Sequence, residues 1–449
     1  MVPMLRRLSF LAALASAAVL SHAAPTISGG PMIAYTEISE AAIWVQTTEN
    51  AKVQVRYKPT GTAMWMTSGA IQATNEKDNI ALFELNKLTF GGTYDYQVLI
   101  NGRPQGVVSQ FKTQPHWRWR TEPPAIKFII GSCAYSTDTP YDRPGQPYGG
   151  DYEIFDSIYK EKPDFMVWMG DNWYYREPDW LTEAGLRYRA RFDRSQSYYQ
   201  PLWRSFPHYA TWDDHDFGPN NSDKTFRLRD QARKVFSDYF PAVQRGTAET
   251  EGIFFRYEWG DVEFFMLDDR SHRTPERFDG TPFAQMLGPG QMKWLKESLM
   301  SSNAPFKVVV NGMQMLNPMT FFEGFPKFQA EQKELISFIA ENDVRGVVFM
   351  SGDRHATELI KTQPFGMPYP LYDYTSSPLS SGAGHNEREA NNPDRVPGTW
   401  VTRKRNYGVI KVDGPRDNRV MTMEAKDKDG KLLWSHSVSA RELRAPARS

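Results

Sequence analysis

Between residues 25 and 115 the chain alternates apolar and polar positions in short runs: Ala42-Ile43-Trp44-Val45, Val53-Gln54-Val55-Arg56-Tyr57, Ala81-Leu82-Phe83-Glu84-Leu85 and Tyr94-Asp95-Tyr96-Gln97-Val98. Period-two alternation gives each strand one buried and one solvated face. Turn formers at Gly61, Asn86, Gly91-Gly92 and Asn101-Gly102 separate the runs, so the pattern predicts a small antiparallel β-sandwich. Residues 116–124, rich in proline, tryptophan and arginine, read as a linker. From residue 125 to 449 the pattern changes. Ile126–Ile130, Phe165–Met169, Phe264–Leu267, Val308–Val310 and Val347–Met350 are nearly continuous apolar runs, as expected of strands covered on both faces. Helical periodicity lies between them, at Asp151–Glu161, Phe226–Tyr239, Gln291–Leu299 and Gln329–Asn342. The alternation predicts a layered α/β domain with mixed sheets, and the alternating tail from Tyr407 to Ser439 is expected to close one of those sheets.

Strand after strand in this second domain stops at polar residues. The endings are Gly131-Ser132-Cys133, Gly170-Asp171-Asn172-Trp173-Tyr174, Trp212-Asp213-Asp214-His215-Asp216, Asp268-Asp269-Arg270, Asn311-Gly312-Met313-Gln314 and Gly352-Asp353-Arg354-His355. Carboxyl ends of strands in open α/β sheets form the crevice where ligands bind, so these residues are expected to converge. Carboxylates can bridge cations, imidazoles suit transition metals, and thiolate or phenolate suits a more highly charged or softer ion. Two neighbouring cations could hold phosphoryl oxygens and lower the pKa of a bound water, which is the equipment of phosphoester hydrolysis. Each motif alone is as well explained by a turn or a helix cap; their succession is the signal.

Charge and cysteine content narrow the picture. Lys plus Arg total 53 and Asp plus Glu total 53, so no global field favours nucleic acid or anionic membrane. An anionic substrate must then be caught by a local site. Arg6 and Arg7 precede an apolar run from Phe10 to Leu20 and the small-residue stretch Ser21-His22-Ala23-Ala24, the anatomy of an export signal over residues 1–24. The arginine pair loosely resembles a twin-arginine signal. The run falls short of the roughly 20 apolar residues of a membrane span, so a transmembrane anchor in the mature chain is not expected. Cys133 is the one cysteine and has no internal disulfide partner. By burial habit it would be a small packed hydrophobe, but its place directly after a strand makes it a candidate ligand. His116, His208, His272, His385 and His436 read as surface or packed histidines, and residues 376–398 read as a mobile loop or lid, or as plain solvated chain.

These stretches together resemble the PhoD-type alkaline phosphatases, a branch of the calcineurin-like metallophosphatase superfamily, and the N-terminal alternation resembles that family's leading fibronectin-like sandwich. The resemblance implies that Cys133, Asp171, Tyr174, Asp353 and His355 hold a ferric ion (Fe3+), with Asp171 bridging to a calcium-type (Ca2+) second site that also uses Asp214. It implies that His215 faces the phosphate as acid or charge stabiliser, that Asp216 orients His215 by accepting a ring proton, and that Arg270 and Arg354 bind phosphate oxygens. No Asp-x-His follows the first strand and Tyr174 stands where the wider superfamily places Asp, two departures shared with the PhoD branch. No histidine lies in Asn311–Gln314, which leaves the second metal's ligand set open. The expected function is an exported phosphohydrolase acting on phosphate monoesters, with diesters as a further class. A dedicated phosphodiesterase or phospholipase-like enzyme on lipid headgroups or wall polymers is the first alternative, and an inactive surface binding protein of the same fold the second. The expected partner is a phosphate-ester substrate, with no nucleic-acid-binding domain and an open oligomeric state.

Overall fold

The computed structural model describes residues 23–364 and 366–445; the expected export signal falls outside the described residues except for its last two positions. The N-terminal part consists of β1 (Ile27–Thr36), β2 (Ala41–Thr47), β3 (Ala51–Pro59), β4 (Met66–Thr67), β5 (Ile71–Ala73), β6 (Ile80–Leu85), β7 (Thr93–Ile100) and β8 (Arg103–Lys112). One sheet has the order β1-β2-β6 and the other β4-β3-β7-β8, with β5 beside β3. Ile43, Val45, Val53, Val55, Phe83, Tyr96 and Phe111 fill the space between them. The opposite face of β1 and β2 is buried too. Met32, Ala34, Ala42 and Trp44 belong to the core of the second domain, which is why β2 is buried at every position and why its alternation was muted.

The second part consists of β9 (Ile126–Gly131), α1 (Glu153–Glu161), β10 (Phe165–Met169), α2 (Glu183–Ser195), α3 (Gln200–Trp203), β11 (His208–Thr211), α4 (Asp214–Phe217) and α5 (Arg229–Tyr239). There follow β12 (Phe255–Trp259), β13 (Val262–Met266), α6 (Gly288–Ser301), β14 (Phe306–Val310), α7 (Gln329–Glu341), β15 (Val347–Ser351), β16 (Glu358–Thr362), β17 (Leu371–Thr375), β18 (Asn406–Asp413), β19 (Val420–Asp427) and β20 (Leu432–Ser439). Two six-stranded mixed sheets result, ordered β11-β10-β9-β18-β19-β20 and β12-β13-β14-β15-β17-β16. The tail closes the first sheet, β18 pairing antiparallel with β9. Aromatic side chains join the sheets: Phe128 stacks on Phe165 at 4.9 Å, Phe264 meets both edge-on, and Tyr209 stacks on Tyr257 at 3.8 Å. Trp168, one position out of phase with Val167, points the other way and packs on Trp203 of α3 at 5.2 Å.

Strands β9, β10 and β11 are mutually parallel, as are β13, β14, β15 and β17. Their carboxyl ends therefore open on one side of the molecule and bring the polar strand endings together. The sandwich is fastened to this domain by polar contacts as well as by the shared core. Trp44 Nε1 donates to the Asp238 carbonyl at 2.8 Å, Gln46 donates to Tyr239 Oη at 2.8 Å, and Tyr96 Oη donates to the Arg204 carbonyl at 3.0 Å. In the connecting segment Gln114 donates to the carbonyls of Thr36 and Glu258, one on each side.

Candidate metal centre

The strand ends leave their sheets through left-handed backbone. Cys133, Asp171, Asp353 and His355 have φ of 58°, 53°, 65° and 52°, a region that costs ordinary residues free energy and is held only where the surroundings dictate it. Each turn aims a donor inward instead of letting the strand continue. Two glycines allow the loops to meet: a Cβ at Gly170 would lie 2.6 Å from Asp213 Cβ, and one at Gly352 would lie 2.4 Å from the Met169 carbonyl oxygen.

Two groups of donor atoms result, each within 4.8 Å: Cys133, Asp171 and His355 in one, and Asp171, Asp214 and His215 in the other. Asp171 belongs to both, and its two oxygens face different ways. Oδ2 accepts from the Cys133 thiol at 3.5 Å and the Tyr174 phenol at 2.9 Å, whereas Oδ1 accepts from the His215 amide at 3.3 Å. Tyr174 Oη also lies 3.2 Å from His355 Nε2, so it completes the first group. Asp353 turns its carbonyl to Cys133 Sγ at 3.6 Å and stands outside both close groups, its carboxylate near Arg354. In the second group Asp214 Oδ2 accepts from the Asn221 amide at 2.6 Å, while Oδ1 is buried with no hydrogen-bond partner among the described residues.

The electrostatics suit a cation. Burial pushes the Cys133 thiol up to about 11. Burial, then the acidic neighbours Cys133 and Asp214, drive the Asp171 carboxyl well above the carboxylate range, and burial with Asp171 drives the Tyr174 phenol well above the usual phenol range. Burial holds the His215 and His355 imidazoles below their usual values. Burial alone would raise Asp214, but His215, Arg270 and the Asn221 amide outweigh it and hold that carboxyl low. Thiol, phenol, carboxylate and imidazole around one point fit a transition-metal ion, and an orphaned carboxylate oxygen beside a shared carboxylate fits a second, harder cation.

A family model for PhoD-like phosphatases matches residues 128–418. The chain belongs to the PhoD-like phosphatase family. A second model, for a domain of unknown function (DUF7800), matches residues 24–116. Alkaline phosphatase D of Bacillus subtilis (strain 168) is 24% identical over 283 residues, a match spanning 52% of this chain and 46% of that relative's length. Among solved structures, that of PhoD superposes with a TM-score of 0.74 at 17% identity, covering 94% of this chain and 92% of that one. Purple acid phosphatase PPD1 from yellow lupin (Lupinus luteus) seeds superposes with a TM-score of 0.63 at 12% identity, covering 93% and 74%. The likenesses place this PhoD-like chain in a metallophosphatase fold with a leading β-sandwich.

Two expected roles do not survive the geometry. Asp216 does not take a proton from the His215 ring: Oδ1 accepts the Asp213 amide at 2.7 Å, and Oδ2 accepts the amide and side chain of Asn172. It is the reciprocal partner of Asp213 in a capping box at the start of α4. Adjacent helical side chains diverge by about a quarter turn, which keeps residues i and i+1 apart. Arg270 is fully buried and its donors are spent on Asp213, Glu323 and the Ser222 carbonyl, so it braces the loop that carries Asp214. Arg354 pairs with Glu389 and lies 4.1 Å over the Phe322 ring. It lines a cavity of 470 Å³ on which Asp353 and His355 also open.

The motif reading missed the groups that support the donors. Ser377 Oγ donates to Cys133 Sγ at 3.1 Å, and Tyr148 Oη lies 3.1 Å from His355 Nδ1. The expected loop at 376–398 begins as a buried wall: the amides of Ser380 and Ser381 donate to the Cys133 carbonyl, and that of Leu379 to the Ser132 carbonyl. A run of small polar residues resembles solvated loop unless its backbone partners are known.

Proposed function

We propose that the protein is an exported metal-dependent phosphohydrolase that releases phosphate from phosphate monoesters and accepts diesters. The observation that carries this reading is the Asp171 carboxylate, one oxygen toward Cys133 and Tyr174 and the other toward His215. In this reading Cys133, Asp171, Tyr174 and His355 would hold Fe3+, and the Asp353 carboxylate would have to turn away from Arg354 to join them. Asp171 and Asp214 hold Ca2+. Bound there, the cations supply Lewis acidity, an activated water and charge to match the phosphoryl oxygens. His215 stands over Tyr174, ring centroids 4.2 Å apart, and serves the phosphoryl group by giving or sharing a proton. Arg354, at the cavity wall, would meet an incoming anion by exchanging its partner Glu389 for phosphate oxygens. The leader anatomy of residues 1–24 supports work outside the cytoplasm. Steady-state turnover of paired chromogenic monoester and diester substrates by metal-loaded protein tests the assignment. Release of phosphate that chelation abolishes and metal restores is expected; no turnover of either ester after reconstitution would contradict it.

A further inference from the structure

Two cavities open on the centre, and their walls differ. The one that reaches Asp353 and His355 is lined by charged groups, Glu276, Glu323, Lys327, Arg354 and Glu389 among them. The other, 290 Å³ in volume, reaches Tyr174 and His215 and is lined by Tyr135, Tyr148, Tyr175, Trp180 and Pro147. Asn220 borders both. The volume lies near the lower end of the roughly 300–1,000 Å³ of small-molecule sites, room for a ring system.

The aromatic wall is fixed in place. Tyr135 meets Tyr148 at 4.9 Å and 74°, and Tyr174 at 5.1 Å and 57°, tilted contacts of the favoured kind. The Arg176 guanidinium sits 3.9 Å over the Tyr135 ring and pairs with Asp142. The hydroxyls of these three tyrosines are engaged: Tyr135 with Asp142, Tyr174 with Asp171, and Tyr148 with His355. What they offer a ligand is ring carbon. The remaining charges at this lobe, Arg143 and Glu177, pair with each other at 3.4 Å at its exposed edge.

We propose that this lobe is a subsite for a planar aromatic ring on the organic side of the phosphate ester, with Trp180 and the tyrosine corner as its stacking surfaces. The proposal rests on the phosphohydrolase reading for the position of the phosphoryl group. Because the lobe shares Tyr174 and His215 with the centre, the ring it takes lies within a few bonds of phosphorus.

The test compares benzyl, cyclohexylmethyl and ethyl phosphate, whose alkoxide leaving groups are similar in basicity but of which one carries a flat ring. The metal-loaded full chain is expected to show a KM for benzyl phosphate roughly tenfold or more below the other two, on the scale of one stacking contact. In Trp180→Ala most of that advantage is lost, leaving KM values for benzyl and cyclohexylmethyl phosphate within about twofold to threefold of each other, and Trp180→Phe restores part of it. Equal KM values for benzyl and cyclohexylmethyl phosphate would overturn the subsite. Calorimetric binding of benzylphosphonate against ethylphosphonate keeps the two readings apart. Absence of hydrolysis of every ester sinks the phosphohydrolase reading, whereas the subsite stands if benzylphosphonate binds at least several-fold more tightly. It falls if the two bind alike or neither binds.

Discussion

Cys133 sits fully buried, with its thiol between the Asp171 carboxylate and the Ser377 hydroxyl. Inert cysteines are normally packed against apolar side chains, and this one is surrounded by polar donors and acceptors. Cys133→Ser is therefore expected to fold, with a stability loss of at most a few kcal/mol, and, under the proposed Fe3+ assignment, to lose iron and phosphate-ester turnover together. Metal analysis with turnover per folded molecule decides it; full iron content and normal turnover would make Cys133 a packed thiol. His215 belongs to the second donor group alone. His215→Ala should keep iron and lose roughly 10²-fold or more in rate, the scale of an acid or base catalyst; metal content and kcat measured on one preparation check both halves. At this scale the polar strand endings were legible because they come within a few residues of an apolar strand, while the ligand set among them rested on the family resemblance. The roles of Arg270 and Asp216 were not. A charged residue beside a site has the same sequence signature whether its partners are a substrate or other side chains, and Glu323, Arg270's buried partner, is distant in sequence and lies in no motif.

The four-residue α4 owes its position to its cap. Asp216 ties its own N-terminus to the loop after β10, since its carboxylate serves both Asp213 and Asn172. Asp216→Ala leaves buried backbone donors without acceptors and is expected to cost about 2 kcal/mol or more, with a loss of activity as Asp214 drifts from Asp171. Urea denaturation together with kcat measures the effect, and unchanged stability would show that the box is ornamental. The sequence made β9, β10, β13, β14 and β15 plain because doubly buried strands are apolar throughout. It hid α2, whose buried positions include Arg189, Asp193 and Arg194: an apolar stripe cannot be read where the inward face is charged. It hid β1 for a different reason, as Gly29-Gly30-Pro31 interrupts the alternation and the strand shifts register there.

Across the whole molecule, stability is coupled to pH through a histidine distant from the centre. His208 at the start of β11 accepts from Trp168 Nε1 at Nδ1, 3.0 Å, and Nε2 lies 3.0 Å from the Leu202 carbonyl. An indole N–H can only donate, so the ring is neutral with its proton on Nε2. Burial lowers its pKa from 6.5 to about 3. The unfolded chain then binds the extra proton between those values, so the stability His208 contributes is present above pH 6.5 and is lost as pH falls toward 3. The loss is on the order of a few kcal/mol. Denaturant midpoints taken from neutral to acid pH should fall more steeply for the wild type than for His208→Asn, and parallel curves would contradict the assignment. Export is a separate expectation at this scale. Protein from the native host should begin near Ala24 or Pro25, and amino-terminal sequencing that finds Met1 or Val2 would rule out cleavage. The central claim is that one carboxylate serves two cations where the two groups of strand ends meet. Elemental analysis of the folded wild type and Asp171→Ala tests it most directly. The account predicts two metal ions per wild-type chain and the loss of both from the variant, whereas a variant that keeps either ion at full occupancy would contradict it.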